Sequence, residues 1–398
     1  MIMAMKESGI EWVGLIPDTW SVIPNKYVMH KEKNLCEKWT GEDVMSLTMN
    51  GVIVRDLQNP TGKMPASFDG YQYIEDGDLL MCLFDIDVTP RCVGKVTHNG
   101  VTSPAYSNFK VHDNASRDYF YYYYLMVDNT KELLHLAKNL RHSFTEEQLG
   151  QLKVPMPPLS EQQAIADYLD ETCSKIDEII AKAKASIDEY KELKQSVIFE
   201  AVTKGLDKNV EMKDSGVYWI GKIPLDWEII KTKYVIKIEN GSNPSTEGKI
   251  PVYGSGAKSF KTCGEYKEGP TVLLGRKGAT LHIPHYIEGK YWNVDTAFNT
   301  IPINNKIELK YFYYVASCFD YNKYISQTTL PGMTQTNYRN IYMPYPSITI
   351  QEELVKWLDN KIFELDSLIS EKESLINDLE AYKKSLIYEV VTGKRRVV

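Results

Sequence analysis

The segment Met5-Lys6-Glu7-Ser8-Gly9-Ile10-Glu11-Trp12-Val13-Gly14 decides the fold, because the chain contains it twice. It returns as Met212-Lys213-Asp214-Ser215-Gly216-Val217-Tyr218-Trp219-Ile220-Gly221, at an offset of 207. The offset holds at Ile16-Pro17 and Trp20, matched by Ile223-Pro224 and Trp227, and at Lys26-Tyr27-Val28, matched by Lys233-Tyr234-Val235. A second series repeats at 189. Pro155, Pro157, Gln162, Leu169, Asp170, Asp177, Ser196, Ile198, Glu200 and Thr203 reappear as Pro344, Pro346, Gln351, Leu358, Asp359, Asp366, Ser385, Ile387, Glu389 and Thr392. Coincidental similarity of two helices would explain the second series alone. It does not explain the Trp, Gly and Pro pattern of the first. The chain is two copies of one unit, the first longer by 18 residues between its shared ends. The middles differ: Tyr253-Gly254-Ser255-Gly256 has no obvious partner in the first half. A shared frame around unlike interiors implies one scaffold presenting two different binding surfaces.

Each unit closes with a long helix. From Glu161 to about Thr203 there is no Pro or Gly, with Pro155, Pro157 and Pro158 before and Gly205 after. These are start and stop signals, with Ser160 the expected N-cap. Leu169, Cys173, Ile176, Ile180, Ala183, Ile187, Tyr190, Val197 and Ala201 are spaced alternately by 4 and 3, a heptad seam broken once, at Lys194. The second helix repeats it through Leu358, Ile362, Leu365, Ile369, Ile376, Leu379, Leu386 and Val390, with breaks at Lys372 and at Lys383, the counterpart of Lys194. Each helix is ~43 residues, or ~65 Å. Alone it exposes its seam to water. Because a globular domain lies between the two, antiparallel pairing within the chain is the economical solution; a coiled coil between chains is the alternative. The seam lysines either set register or carry their charge out of the seam on a long stem.

The globular parts read as α+β. Strand-like stretches are 78–84, 91–97, 271–274 and 280–287; more helical stretches are 118–139 and 309–324. Tyr119-Phe120-Tyr121-Tyr122 matches Tyr311-Phe312-Tyr313-Tyr314, and these aromatics are expected mainly in the core. At 398 residues, 43% apolar and 25% charged, the composition is that of a globular protein of two or three domains. Apolar runs such as Leu79 to Phe84 fall far short of the ~18 residues that span a bilayer. Met1 to Trp12 lacks a secretory signal pattern, and the six cysteines show no CxxC spacing. A cytoplasmic protein with reduced thiols and no membrane partner is expected. The formal net charge is −7, which by itself argues against a phosphate-rich partner. Split by segment it is uneven: −5 over 1–160, −4 over 161–204, +4 over 205–348 and −2 over 349–398.

In the basic second domain, Arg276 and Lys277 of Gly275-Arg276-Lys277-Gly278 are candidates for phosphates or guanine edges. Tyr253, Lys258, Gln335, Thr336 and Arg339 are further candidates there, and Arg91, Lys95, Arg141, His142 and Ser143 are those of the first domain. An ordinary solvated hairpin tip is the plainer reading of the 275–278 loop. No GxxxxGK[ST], GxGxxG or GxSxG occurs, nor an Asn- or Asp-Pro-Pro-aromatic tetrapeptide. His282 and His285 show no third ligand, so no metal site is expected. The chain reads as a recognition and assembly subunit without its own active site.

Taken together, these residues resemble the specificity subunit of type I restriction-modification systems, over nearly the whole chain. The Ser-Gly-x-x-Trp-x-Gly-x-Ile-Pro-x-x-Trp opening at 8–20 and 215–227 is similar to the start of that family's target-recognition domains. Pro157-Pro158-Leu159-Ser160-Glu161-Gln162-Gln163 is similar to the entry into its helical region; the second copy, from Pro346 to Glu352, keeps only the Pro and a Gln. Ser103-Pro104-Ala105-Tyr106 and the stretch from Pro251-Val252-Tyr253-Gly254 to Gly278 also resemble family segments. The resemblance implies an α+β chain with a pseudo-twofold internal repeat. It has two target-recognition domains, 1–160 and 207–348, with mixed sheets and short helices. Two spacer helices, 161–206 and 349–398, form an antiparallel intramolecular coiled coil. It also implies partners: double-stranded DNA, read as a bipartite asymmetric site, two modification subunits and the restriction subunits. No cofactor is expected on this chain; S-adenosylmethionine, ATP and Mg belong to those partners. Two rivals stand beside this reading, a coiled-coil scaffold whose domains bind protein and a cryptic DNA-modifying enzyme.

Overall fold

A computed structural model describes residues 4–60, 62, 64–137, 142–256, 258–325 and 331–397. The chain divides into two compact units, Met1–Ala183 with Ser374–Val398, and Lys184–Glu373. The helices are α1 (Arg117–Asn129), α2 (Glu132–Leu136), α3 (Glu146–Gln151), α4 (Leu159–Lys204), α5 (Leu309–Ala316), α6 (Gln335–Asn340) and α7 (Ile348–Val391).

The duplicated opening folds alike in both units. Met5–Glu7 pairs antiparallel with Leu15–Pro17, and Met212–Asp214 with Lys222–Pro224. Gly14 (φ +65°) and Gly221 (φ +72°) close the two turns in left-handed backbone, which explains why glycine stands at both. Two four-stranded sheets follow. In the first unit one runs Gly51–Val54, Val44–Thr48, Gly100–Thr102, Gln72–Ile74, with its central pair parallel; the other runs Met29–Glu32, Ser107–Val111, Leu79–Met81, Val93–Lys95, all antiparallel. The second unit has the same order: Lys261–Cys263, Ile250–Tyr253, Lys290–Asn293, Lys267–Glu268, again parallel at the centre, and Ile236–Asn240, Ala297–Pro302, Thr271–Gly275, His285–Ile287. Unlike interiors therefore share one topology.

Expected and observed elements differ in instructive ways. The helix expected over 118–139 ends at Asn129 and restarts at Glu132; between them Lys131 has φ +55°, and its ammonium donates to Asp128 Oδ1 (2.7 Å) and Thr89 O (2.8 Å). The one expected over 309–324 stops at Ala316 and resumes as a single 3-10 turn, Tyr321–Lys323. Of 280–287 only His285–Ile287 is strand. Ser160 is not an N-cap: α4 starts at Leu159, and Pro158 O accepts from Glu161 N and Gln162 N, both at 2.9 Å. Tyr119, Phe120, Tyr122, Tyr311, Phe312 and Tyr314 are buried, as core residues should be.

The long helices run antiparallel in each unit. In the first, the start of α4 and the end of α7 meet at Trp20: its indole donates to Glu161 Oε2 (3.0 Å), and a Cβ on Gly393 would lie 3.0 Å from its ring. Farther along, Lys383 Nζ bonds Asp177 at 2.6 Å. In the second, Trp227 stands against Gly205 and packs in one cluster with Ala201, Leu354 and Leu358, while Lys194 Nζ bonds Asp366 at 2.7 Å. Asp177 and Asp366 are repeat counterparts, as are Lys194 and Lys383, so the two ion pairs are one contact made twice. The seam lysines neither sink into the core nor swing free. Leu169, Ile176, Ile180, Ile187, Leu358, Leu365, Ile376 and Leu386 are buried and Ile369 half-buried. At Val197 the expected seam needs correction. Past Lys194 the buried line moves to Ile198, Ala201 and Val202, because the stripe there also faces the second unit's core around Trp227.

Buried amides fasten each long helix to its domain. Gln162, fully buried, accepts from Ser116 N (2.8 Å) and donates to Pro157 O (2.8 Å). Gln351 accepts from Glu308 N (2.9 Å) and donates to Pro346 O (2.9 Å). Tyr122 OH donates to Asp170 at 2.7 Å, and Tyr314 OH to its counterpart Asp359. Gln162, Gln351, Asp170 and Asp359, retained between the copies, thus join helix to domain. Burying an indole such as Trp20 contributes on the order of 3–5 kcal/mol more.

Candidate nucleic-acid interface

In the second unit four segments converge: Asn240–Gly241, the loop after Tyr253, the loop after Gly275, and Pro331–Gln335. The Ser255 carbonyl accepts from Thr280 Oγ1 (3.0 Å) and faces His285 Nε2 (3.3 Å). Met333 N donates to Arg276 O (2.9 Å), Gly278 N to Pro331 O (3.1 Å), and Gln335 Nε2 to Asn240 Oδ1 (3.0 Å). A Cβ on Gly275 would meet the Leu281 backbone at 2.3 Å, so only glycine lets this loop fold back on itself. The cations are presented differently. Arg276 lies half-buried against the Phe298 ring, its Nη1 3.3 Å from Asp295 O. Lys277 and Lys258 are exposed and make no ion pair among the described residues. Burial holds the His285 imidazole below its ordinary pKa, so it adds no charge near neutral pH. Glu265 accepts from Ser245 and Thr246, bonds that hold its carboxyl down to about 2 and tie down the 245–246 loop.

The first unit builds the same frame with other side chains. Phe144 N donates to Leu83 O (2.7 Å) and Ile86 N to His142 O (3.3 Å), in the places of Met333–Arg276 and Gly278–Pro331. The second unit's loop begins with Arg276 and Lys277; the first unit's has Leu83 in the place of Arg276 and carries Asp85 and Asp87, with Val88 72% exposed. Asp85 and His142 both sit in left-handed backbone, at φ +48° and +42°. One scaffold therefore offers a cationic loop in one copy and an anionic loop in the other.

The structure brings some of the sequence candidates together and separates others. Tyr253 is half-buried, its carbonyl accepting from Val294 N. Gln335 joins the convergent loops. Thr336 and Arg339 are exposed along α6. Arg91 and Lys95 have internal roles. The Arg91 guanidinium donates to Met49 O (2.9 Å), Val93 O (3.0 Å) and Tyr121 OH (2.6 Å), and Lys95 bonds Asp118 at 2.8 Å. His142 and Ser143 are half-buried; Arg141 lies outside the described residues. Phe260 was not singled out by the sequence. It is 60% exposed, 3.7 Å from where a Cβ on Gly254 would lie, and flanked by Lys258 and Lys261. Its only sequence signal is an aromatic between two lysines. Among the described residues no three His, Cys, Asp or Glu side chains are placed to hold a metal ion, and no helix is long and apolar enough to cross a membrane. Exposed amides, hydroxyls and ammonium groups around glycine-bearing loops suit hydrogen bonding to base edges and phosphates.

The family model for the type I restriction modification DNA specificity domain matches residues 86–189 and 224–380. The type I restriction enzyme MjaVIII specificity subunit of Methanocaldococcus jannaschii is 26% identical over 277 residues, 62% of this chain and 63% of that protein. The putative MjaX specificity subunit of the same organism is 25% identical over 309 residues, 71% of this chain and 69% of that one. The chain thus spans somewhat less than two thirds of the first relative's length. A solved chain from a study of complex assembly and conformational transition in the type I restriction-modification system superposes with a TM-score of 0.73, covering 96% of this chain and 99% of that one at 13% identity. The HsdS subunit of Thermoanaerobacter tengcongensis gives 0.54 over 96% and 98% at 14% identity. Such identities speak for the fold. With the family match falling in both copies of the repeat, the chain belongs to the type I restriction-modification DNA specificity family.

Proposed function

We propose that this chain is the non-catalytic, sequence-reading subunit of a type I restriction-modification complex. Each recognition domain, 1–160 and 207–348, reads one half of a bipartite, asymmetric DNA site. The helical segments 161–206 and 349–398 set the unspecified spacer and dock two modification subunits and the restriction subunits in the cytoplasm. Methyl transfer and ATP-dependent cleavage, with S-adenosylmethionine, ATP and Mg, belong to those partners. One observation carries the reading: a duplicated frame with matching loop-to-loop hydrogen bonds presents loops of opposite charge. Two surfaces of one build but unlike chemistry suit two half-sites of one duplex but unlike sequence.

The test is methylome sequencing of a host expressing the chain with its modification subunit, before and after residues 28–150 are exchanged for those of another specificity subunit. One half-site should change and the other stay. A change in both halves would refute the one-domain, one-half assignment. Failure to bind any duplex with modification subunits present would favour the protein-binding scaffold.

A further inference from the structure

The loops that differ between the units suit what differs between half-sites. The sugar-phosphate backbone is what half-sites share, so its contacts should lie among exposed residues that the two copies share. One such pair stands out. Lys26-Tyr27 and Lys233-Tyr234 occupy the same 3-10 turn in each unit, and neither tyrosine is in the core: they are 56% and 61% exposed. Each lysine ammonium lies over its neighbour's ring, at 5.2 and 5.1 Å from the centroid.

The turns are also tied to the candidate base-reading loops by equivalent bonds. Asn25 N donates to Leu152 O (2.7 Å), at the end of α3, and Thr232 N to Ile341 O (2.9 Å), at the end of α6. The other ends of those short helices adjoin Phe144 and Met333, which bond the loops after Leu83 and Gly275. A six-residue helix is ~9 Å long, so one short helix links each turn to the base of a candidate base-reading loop. Further cations flank the turns: exposed Lys153 in the first unit, and Lys231 and exposed Arg339 in the second. None of the five makes an ion pair among the described residues.

We propose that the Lys26-Tyr27 and Lys233-Tyr234 turns grip the DNA sugar-phosphate backbone in the same way at the two half-sites, while the unlike loops read bases. This rests on the sequence-reading function proposed above. Lysine and tyrosine hydroxyl are ordinary phosphate partners and carry no sequence information. A protein-docking role fits less well, since lysine is depleted at the cores of protein interfaces. The two grips are unequal. Glu146 and Glu147 stand on α3 where α6 carries Gln335 and Thr336, so the second turn contributes more.

The test uses the full chain co-purified with its modification subunit, on a duplex bearing the methylated target, at 50 to 200 mM salt. Lys26→Gln and Lys233→Gln should each lower the slope of log affinity against log salt by up to about 0.9, and by up to about 1.8 together. Each single variant then loses up to about 3.5-fold less affinity than wild type across that range, and the double up to about 12-fold less, by the same slopes. The methylated sequence should not change, and Lys→Arg at either position should restore the slope. Three results would overturn the inference: an unchanged slope in the double variant, a changed target sequence, or weaker co-purification with the modification subunit at unchanged slope, which would mark a protein-docking surface. If the wild-type complex binds no duplex at all, the recognition reading fails and this inference with it; unchanged slopes in a complex that does bind sink only the inference.

Discussion

Replacing Gln162 by Ala tests whether the repeat retained its buried amide for the joint between helix and domain. The side chain is fully buried. Its loss leaves two groups without their partner: the N–H of Ser116, the residue whose side chain caps the start of α1, and the Pro157 carbonyl ahead of α4. An unsatisfied buried polar group costs ~1–3 kcal/mol, so two cost ~2–6 before any cavity is counted. For a unit of about 200 residues, a loss near 3 kcal/mol lowers the midpoint by roughly 6–12 °C. Gln162→Glu should be little better, because a carboxylate accepts from Ser116 but donates nothing to Pro157. Thermal unfolding gives the size of the effect, and hydrogen exchange gives its place: amides of α1 should lose protection while those of α5 keep theirs. Gln351→Ala should do the converse. A loss below ~1 kcal/mol, or one spread equally over both units, would refute the reasoning.

The crossed ion pairs should couple weakly. Lys194 and Asp366 are 27% and 52% exposed, so a double-mutant cycle should give ~0.2–1 kcal/mol, and the charge-swapped pair should recover most of what either single reversal loses; a coupling of zero would leave them as bystanders. Burial pushes the thiols of Cys92 and Cys173 up to about 12 and about 11. A raised folded-state value means their stabilising effect is complete below the unfolded thiol's ~8.5 and fades as pH climbs toward 11 to 12. Stability should therefore fall above about pH 9, and native thiol titration at pH 8 should be slow; rapid labelling of native protein would contradict this. One heptad added to both long helices lengthens each by ~10 Å and should lengthen the spacer by about three base pairs with both half-sites unchanged. An unaltered spacer in the methylome would count against the helices as its measure.

Much of this fold is legible in one dimension because it is periodic. The offset of the repeat exposed the duplicated frame, and the alternation of 4 and 3 located both helices to within a few residues of Leu159–Lys204 and Ile348–Val391. Boundaries set by distant contacts were not legible. Just past the end of α1, Lys131 takes a left-handed backbone and its ammonium donates to Thr89, 42 residues away. Val197 yields its place to Ile198 because a second core meets the helix there. The candidate site was the least legible part. Arg91 and Arg276 are both arginines beside strands, yet one is held by Met49 and Tyr121, and the other lies on a loop facing Pro331 and Met333.

By itself the sequence determined that one frame is used twice, that each copy ends in a long amphipathic helix, and that positive charge concentrates in the second domain. Those properties are local or repeated, so spacing and counting expose them. Only the tertiary structure decided which cations are free and which are held inside. It alone showed that Lys194 and Lys383 are paired rather than buried, and that one scaffold carries an acidic loop in the first unit and a basic loop in the second. Each of these depends on which atoms far apart in the chain come within about 3 Å of one another, and nothing short of the folded backbone sets that distance.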